Sequence, residues 1–274
     1  MVVATLALVL VRSAFQRRVG KQMSDWLPAR NRLLAALRIA DPAAEAQLRA
    51  GLESVELKLH AKVMRPDRPI SHVYFPETGV LSLTHQMHNG ATVEVSLVGS
   101  DGMAGLAVYL GGATFPVEVT CSAPGTFLRM RSAEFRAEVA RNPPLLQVLH
   151  GYTLAVLKIG AQSMGCDRFH SVEARAARWL LEMDDRVAQD EFTMTQEFLA
   201  FVLGVRRQTV SVVLSQFSRQ GWVVNQRGLI EIIDRVGLER GACECYEVIR
   251  EEFARLVGPP LPAARKARAA AKSL

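Results

Sequence analysis

Arg207, Gln208 and Ser211 stand on one side of an apolar segment, FLAFVLGVRRQTVSVVLSQFSRQGW, residues 198–222. Val210, Val213, Leu214 and Phe217 take the other side at helical spacing. A guanidinium carries a rigid fork of donors that fits the O6/N7 edge of guanine, and a glutamine amide fits the N6/N7 edge of adenine. Small polar residues such as Ser211 and Ser215 let such a helix approach a duplex closely. Between Phe198 and Ile230 there is no Asp or Glu, while Arg206, Arg207, Arg219 and Arg227 are all present. A generic solvated surface mixes both signs. This window suits a polyanion, and its side-chain types suit the base edges of double-stranded DNA. The amides of the helix's first turn add a place for a phosphate.

The elements that must position these residues can be read on either side. Gly204-Val205-Arg206 interrupts the helical pattern, giving helices over Gln196–Leu203, started by Thr193 or Thr195, and Arg207–Arg219. Phe198, Phe201 and Val202 of the first are expected to pack against the apolar face of the second. Upstream, Ser171 is placed to cap VEARAARWLLEMDDRV, an amphipathic helix with Ala177, Leu180, Leu181 and Met183 for a core and Asp184-Asp185 on a solvated face. Downstream, WVVNQRGLIEII reads as two strands around a turn at Asn225–Gly228. Helix, helix, turn, helix and hairpin is the order of a winged helix-turn-helix.

The N-terminal half has a different grammar. Residues 27–52 read as short helices, and from Val55 apolar and polar residues alternate in short runs. The runs are punctuated by Pro76-Glu77-Thr78-Gly79, by His88-Asn89-Gly90 as a type I′ hairpin turn, and by Pro124-Gly125. Many short strands at this spacing predict a β-sandwich or jelly-roll barrel. Ser132 is placed to cap a helix over 133–140, and Pro143-Pro144 opens another. On that helix Leu145, Leu149, Tyr152, Val156, Ile159, Ser163 and Cys166 recur at steps of four and three. The expectation is a two-chain coiled-coil seam; the alternative is a helix packed on its own barrel.

Residues 55–252 resemble the Crp/Fnr family of bacterial transcription regulators, most specifically through TQEFLAFVLGVRRQTVSVVLSQFSRQGWV. The resemblance implies an α+β chain with a cyclic-nucleotide-binding-type jelly roll, a long dimerisation helix and a C-terminal winged helix-turn-helix. It puts Arg207 where the family carries a guanine-reading arginine, with Gln208 where many members have glutamate and Val212 where several have a second base-contacting residue. The base contacts are thus assigned to Arg207, Gln208 and Ser211. The backbone contacts are assigned to Thr195, Gln196, Arg206, Thr209 and Arg227. In the loop that grips a cyclic nucleotide in other members, Met103 replaces the ribose-binding glutamate, and Phe115-Pro116 replaces the phosphate-binding arginine and its hydroxyl neighbour. From Pro69 to Leu128 there is no Lys or Arg, so a buried phosphate would lack a cation. The effector pocket, marked by Gly102, Met103, Gly105, Phe115 and Pro116, is degenerate. The effector is not cAMP or cGMP held in the usual way, although the amides of 102–105 leave room for weak anion binding. An apolar small molecule, a protein partner or no effector at all, and RNA polymerase as a partner, stay open. The family's oxygen-sensing branch uses N-terminal cysteines, and here none precedes Cys121.

The formal charge of +6 does not by itself argue for DNA. Residues 1–22 and 258–274 carry Arg12, Arg17, Arg18, Lys21, Arg265, Lys266, Arg268 and Lys272 with no acid, and the remainder is slightly acidic. The apolar run Val2–Val11 is too short to span a bilayer. The expected organisation is 1–22 as a disordered arm or a misassigned start before Met23, 23–140 as the sensory domain and 143–168 as the dimer helix. Residues 171–257 form the DNA-binding domain and 258–274 a disordered basic tail. Cys121, Cys166, Cys243 and Cys245 form no CxxC pair and Cys243-Glu244-Cys245 is tight for zinc, so free thiols in a cytoplasmic protein are expected, with neither metal nor cofactor. Cys166 meeting its symmetry mate as a thiol switch, and His72, His85 or His88 as metal or haem ligands, are the weaker readings. There is no P-loop, HExxH or GxSxG, and the chain is not read as an enzyme. The reading is a homodimeric DNA-binding regulator; the alternative is a sensory or interaction protein on the same fold that does not bind DNA.

Overall fold

The computed structural model describes residues 30–90, 92–187, 191–226 and 228–258. The two charged termini and Arg227 lie outside them. Two short helices, α1 (Arg32–Ala40) and α2 (Pro42–Ala50), precede seven strands: β1 (Glu53–Leu57), β2 (Lys62–Met64), β3 (His72–Pro76), β4 (Val80–Gln86), β5 (Thr92–Val98), β6 (Glu118–Ala123) and β7 (Gly125–Arg131). They pair antiparallel in two sheets, ordered β1-β7-β3 and β2-β6-β4-β5, and a one-turn helix, α3 (Leu106–Tyr109), follows β5. Phe127, Leu81, Val119 and Cys121 fill the space between the sheets. This is the jelly roll that the alternating runs predict. The β4–β5 turn differs in detail: Gly90 N–H closes it on the Met87 carbonyl (2.9 Å), and Gly90, but not Asn89, has positive φ, so it is not the type I′ turn expected at Asn89-Gly90.

Helix α4 (Ser132–Arg141) leads into α5 (Pro143–Phe169), 27 residues long. Ser132 does not cap α4: its hydroxyl donates to the Ile70 carbonyl (2.6 Å), tying the helix start to the strand beside it. Asn142 caps α5 by accepting from Leu145 N–H (3.0 Å), with Pro143 at the first helical position.

The heptad stripe on α5 corrects the seam expected of it. Leu145, Leu149 and Tyr152 are buried against the chain's own α1 and jelly roll, among Leu33, Leu37, Phe75, Met103 and Phe135. Val156 and Ile159 are partly buried against the same cluster, and Cys166 is fully buried, so none of these first three residues nor Cys166 is free to meet a second chain. The period is right and the partner is different, because α1 and the sheet leave an apolar trough that α5 covers together with α4 and the helix over Cys245–Val257. The outward face of α5 carries Leu154, Leu157 and Met164 in solvent.

The C-terminal unit comprises α6 (Val172–Arg186), β8 (Glu191–Thr193), α7 (Gln196–Leu203), α8 (Arg207–Arg219), β9 (Val223–Gln226), β10 (Leu229–Ile232), α9 (Arg235–Gly241) and α10 (Cys245–Val257). Its small sheet is ordered β8-β10-β9. Helix α10 runs back along α5, where Ile249, Phe253 and Val257 join the cluster under α5. A side chain at Gly151 would meet the Leu256 carbonyl at 2.7 Å, so glycine is what permits this close approach.

The two halves meet face to face. Arg186 of α6 is buried and pairs with Asp101 just after β5 (2.8 Å), and its stem lies where a side chain at Gly99 would have to go (2.6 Å). Glu94 of β5 has its carboxyl enclosed between β4 and α6; it accepts from Ser82 Oγ and from Trp179 Nε1 (2.8 Å). Burial pushes this carboxyl up to about 7, against the two hydrogen bonds; nearby Glu182 pushes it further and Arg186 opposes. Between about 4.5 and about 7 the folded chain therefore holds a proton that the unfolded chain has released. Stability falls as pH rises through that window and levels off above it. Glu94→Gln keeps an acceptor for Trp179 and a group for Ser82. It is expected to melt above the wild type at pH 8, with the gap closing towards pH 4.5, in thermal unfolding followed by circular dichroism. An equal melting temperature at pH 8 would mean that ionised Glu94 carries no penalty there.

Candidate nucleic-acid interface

Helix α7 starts at Thr195, whose hydroxyl oxygen accepts from Phe198 N–H (3.1 Å), and stops at Gly204, which has φ +66°. A side chain at Gly204 would be strained, and glycine is the usual residue there. The chain then turns by 108° into α8. Leu199, Ala200 and Leu203 of α7 pack with Val210, Val213, Leu214 and Phe217 of α8, around Trp179, Leu180 and Ile230. Phe198 lies edge-on to Trp179 (ring centroids 6.0 Å). Phe201, expected in this core, stays half-exposed beside Phe198 instead.

With that face buried, the other face of α8 is fixed outward. Arg206, Arg207, Gln208 and Ser215 are exposed, and Thr209 and Ser211 are half-buried. Val212 is 63% exposed beside them, an apolar residue with no intramolecular use. No side chain caps α8; the Thr209 amide donates to the Arg206 carbonyl (3.0 Å), and the amides of Arg207 and Gln208 keep the anion-binding character of a helix N-terminus. Thr195 is exposed and Gln196 half-buried at the start of α7.

One acid escaped the acid-free window because it lies one residue before it. Glu197 Oε1 pairs with Arg207 Nε at 2.7 Å, with both side chains about two-thirds exposed (64% and 65%). An exposed pair of this kind contributes roughly 0–1 kcal/mol. It holds the guanidinium in place without committing it.

Asp185 is exposed as expected, but Asp184 is not part of a solvated face. Asp184 is buried, and Arg235 of α9 reaches both carboxylates (2.5 and 2.6 Å) while Tyr246 donates to Asp185 (2.8 Å). This clamp joins α6, α9 and α10 behind the wing. The partner of the pair is fifty residues downstream, so no local pattern could reveal it.

The sensory loop is closed by the chain itself. Tyr152 Oη donates to the Met103 carbonyl (3.1 Å) and accepts from Met103 N–H (3.2 Å). Burial pushes the Tyr152 phenol well above its ordinary range. The Gly102 amide donates to Gly99 and the Ala104 amide to Tyr74, so three amides in the 102–105 stretch are already engaged, contrary to the anion site expected of them. Gly102 is glycine because Tyr152 occupies the space a side chain would need (2.4 Å). Gly102 and Met103 are buried and Gly105 is half-buried, while Phe115 and Pro116 lie at the surface; the five do not converge as one pocket. His72, His85 and His88 do not gather either: the His72 ring is within 2.9 Å of the Ser71 hydroxyl, and His85 lies near the Pro116 carbonyl (2.6 Å). The four cysteines are free thiols as expected, but three of them gather with a histidine, which their spacing along the chain does not suggest: Cys166, His170, Cys243 and Cys245.

Jelly roll, long helix and winged helix-turn-helix with an outward polar helix together define a DNA-binding transcription regulator with an N-terminal domain of the cyclic-nucleotide-binding type. Sequence comparison agrees for both halves. Residues 54–142 match the cyclic nucleotide-binding domain, and residues 174–240 match the Crp-like helix-turn-helix domain, more than half of the chain between them. The chain belongs to the Crp/Fnr family of transcription regulators. A relative described as a CRP-like cAMP-activated global transcriptional regulator, from Mycobacterium tuberculosis, is 23% identical over 210 residues, covering 74% of this chain and 93% of the relative. Among solved structures, FixK2 from Bradyrhizobium japonicum superposes with a TM-score of 0.61 at 19% identity, over 70% of this chain and 98% of that one. The c-di-GMP responsive global regulator CLP from Xanthomonas campestris does so with a TM-score of 0.56 at 15% identity, over 70% and 99%.

Glu197 gives the first test of the interface. Glu197→Gln frees Arg207 and removes a negative charge from the surface, so it is expected to tighten duplex binding about two- to fivefold, the range of an exposed ion pair. Fluorescence anisotropy at fixed salt measures it. Weaker binding instead would assign Glu197 the task of holding Arg207 in register.

Proposed function

We propose that this regulator acts as a homodimer on a near-palindromic duplex, with one α8 in each of two major grooves about one helical turn apart. The observation that carries the reading is the outward row of Arg207, Gln208 and Ser211 on a helix whose opposite face is wholly committed to the core. Arg207 and Gln208 reach base edges, and Ser211 lets the helix sit close. Thr195, Gln196, Arg206 and Thr209 hold the phosphate backbone. Arg227 is assigned to the backbone by the motif alone.

Dimerisation is assigned to the outward face of α5. Leu154, Leu157, Ala161 and Met164 follow one another at steps of three and four, all exposed. An exposed apolar row at that spacing is what a two-helix seam needs. The effector is not a cyclic nucleotide bound through its phosphate: Met103 stands where the family has its glutamate, Tyr152 fills the loop, and Arg186, which acts electrostatically on Tyr152, is paired with Asp101. The working environment is the cytoplasm, beside RNA polymerase; among the described residues no single helix is long and apolar enough to cross a membrane.

Selection of binding sites from random duplex DNA tests the reading, with wild type and Arg207→Ala in parallel at physiological salt. The wild type is expected to enrich a near-palindrome. The variant is expected to lose about 1–3 kcal/mol and blur one base position in each half-site. Uniform weakening on all sequences would make Arg207 a phosphate contact, and no enrichment by the wild type would favour a protein partner for the winged helix. Leu157→Asp tests the seam separately. It is expected to convert a dimer to a monomer in sedimentation while leaving the fold intact, since Leu157 is 66% exposed in one chain. An unaltered dimer would place the interface elsewhere.

A further inference from the structure

Cys166 and His170 stand one helical turn apart at the C-terminal end of α5. Cys243 and Cys245 flank the turn from α9 into α10, about 75 residues downstream. The fold brings one ligand-type atom from each of the four to within 4.8 Å of every other. Cys166 Sγ lies 3.5 Å from Cys243 Sγ, and Cys245 Sγ lies 3.6 Å from His170 Nδ1. A tetrahedral zinc with the usual bond lengths sets its sulfurs about 3.8 Å apart and sulfur and nitrogen about 3.6 Å apart.

The surroundings favour metal ligation over four idle side chains. Gln162 Nε2 donates to Cys245 Sγ (3.0 Å), so that sulfur is used as an acceptor, as a thiolate is. His170 Nε2 faces Glu244 Oε1 (3.1 Å). An Nε2–H donated to that carboxylate leaves the Nδ1 lone pair turned to the cysteines, the usual carboxylate–histidine–metal arrangement. The Arg178 guanidinium on α6 acts electrostatically on Cys166 and Cys243, and its Nε is buried with no hydrogen-bond partner among the described residues. Three thiolates and an imidazole around a divalent ion leave one negative charge, which the Arg178 guanidinium offsets in part while its Nη1 holds Glu182 Oε1 (2.7 Å).

We infer that Cys166, His170, Cys243 and Cys245 form a closed, structural zinc(II) site that staples the end of the long helix to the turn before α10. Soft sulfur with one imidazole selects zinc over magnesium, calcium or manganese, and four protein ligands leave no open position for catalysis. Binding releases the three thiol protons and forms three Zn–S bonds and one Zn–N bond, with no change of oxidation state. A Cys166–Cys243 disulfide is the competing chemistry; it would leave Cys245, His170 and their two hydrogen-bond partners unused. The site lies at the step from His170 to Ser171, where the long helix hands over to the DNA-binding unit, so the ion holds that corner from both sides.

The test uses the full-length chain, purified under reductant with no histidine tag. Elemental analysis is expected to find about one zinc per chain, and cobalt(II) replacing it should give the d–d bands of a tetrahedral site with thiolate-to-cobalt charge transfer. Cys243→Ser is expected to lose the metal. Should that variant fail to fold, Glu244→Gln decides, since Glu244 is exposed and its replacement leaves packing untouched. Its zinc affinity, by competition with a chromophoric chelator, is expected to fall roughly 10–100-fold. Zinc well below one per chain and equal in Cys243→Ser, unchanged affinity in Glu244→Gln, or a Cys166–Cys243 disulfide in the reduced preparation would each overturn the assignment.

Discussion

The constraint on which the rest of this structure depends is that α5 turns its apolar stripe inward. Leu145, Leu149 and Tyr152 cover the trough left by α1 and the β1-β7-β3 sheet, and they are completely enclosed there. Because the stripe is used internally, Leu154, Leu157 and Met164 are left as an exposed apolar row on α5. Because Tyr152 is on the inward side, its hydroxyl reaches the loop at Met103. Because Cys166 continues that side, it arrives beside Cys243. One rotation of the helix about its axis would undo all three.

The second half is held to the first by polar contacts inside an apolar seam. Val80, Leu97 and Ala123 of the jelly roll share a cluster with Leu180, Leu199 and Phe217. Within it lie Arg186–Asp101 and Trp179–Glu94. Burying charge is costly, and such pairs add specificity of orientation more readily than stability. Here they fix which face of α6 meets the sheet, and so where the outward side of α8 points.

Much of this was legible in the sequence. The strands, the two helices around Gly204 and the buried face of α8 follow from period and punctuation, and the polar face of α8 follows by subtraction. The heptad on α5 was legible as a buried stripe but not as to its partner, because a period of three and four reports that a face is covered and is silent on what covers it. Glu197 escapes a window counted along the chain, which does not see a neighbour across a turn. The burial of Asp184 is not legible locally because Arg235 is distant in sequence. The gathering of Cys166, His170, Cys243 and Cys245 was invisible for the same reason: each half is an unremarkable pair, and only the return of α10 along α5 makes them one group.

The closed loop at Met103 has a consequence of its own. Tyr152 behaves there as a ligand that the protein carries with it, tethered through a rigid helix and so present at an effective concentration of millimolar or above. A visiting molecule must displace a phenol ring and two hydrogen bonds before making any of its own, and its apparent affinity is reduced by the small fraction of chains in which the ring is out. A receptor so occupied is deaf to weak or scarce ligands. It would respond only to one that also gains from the α5 helix having moved.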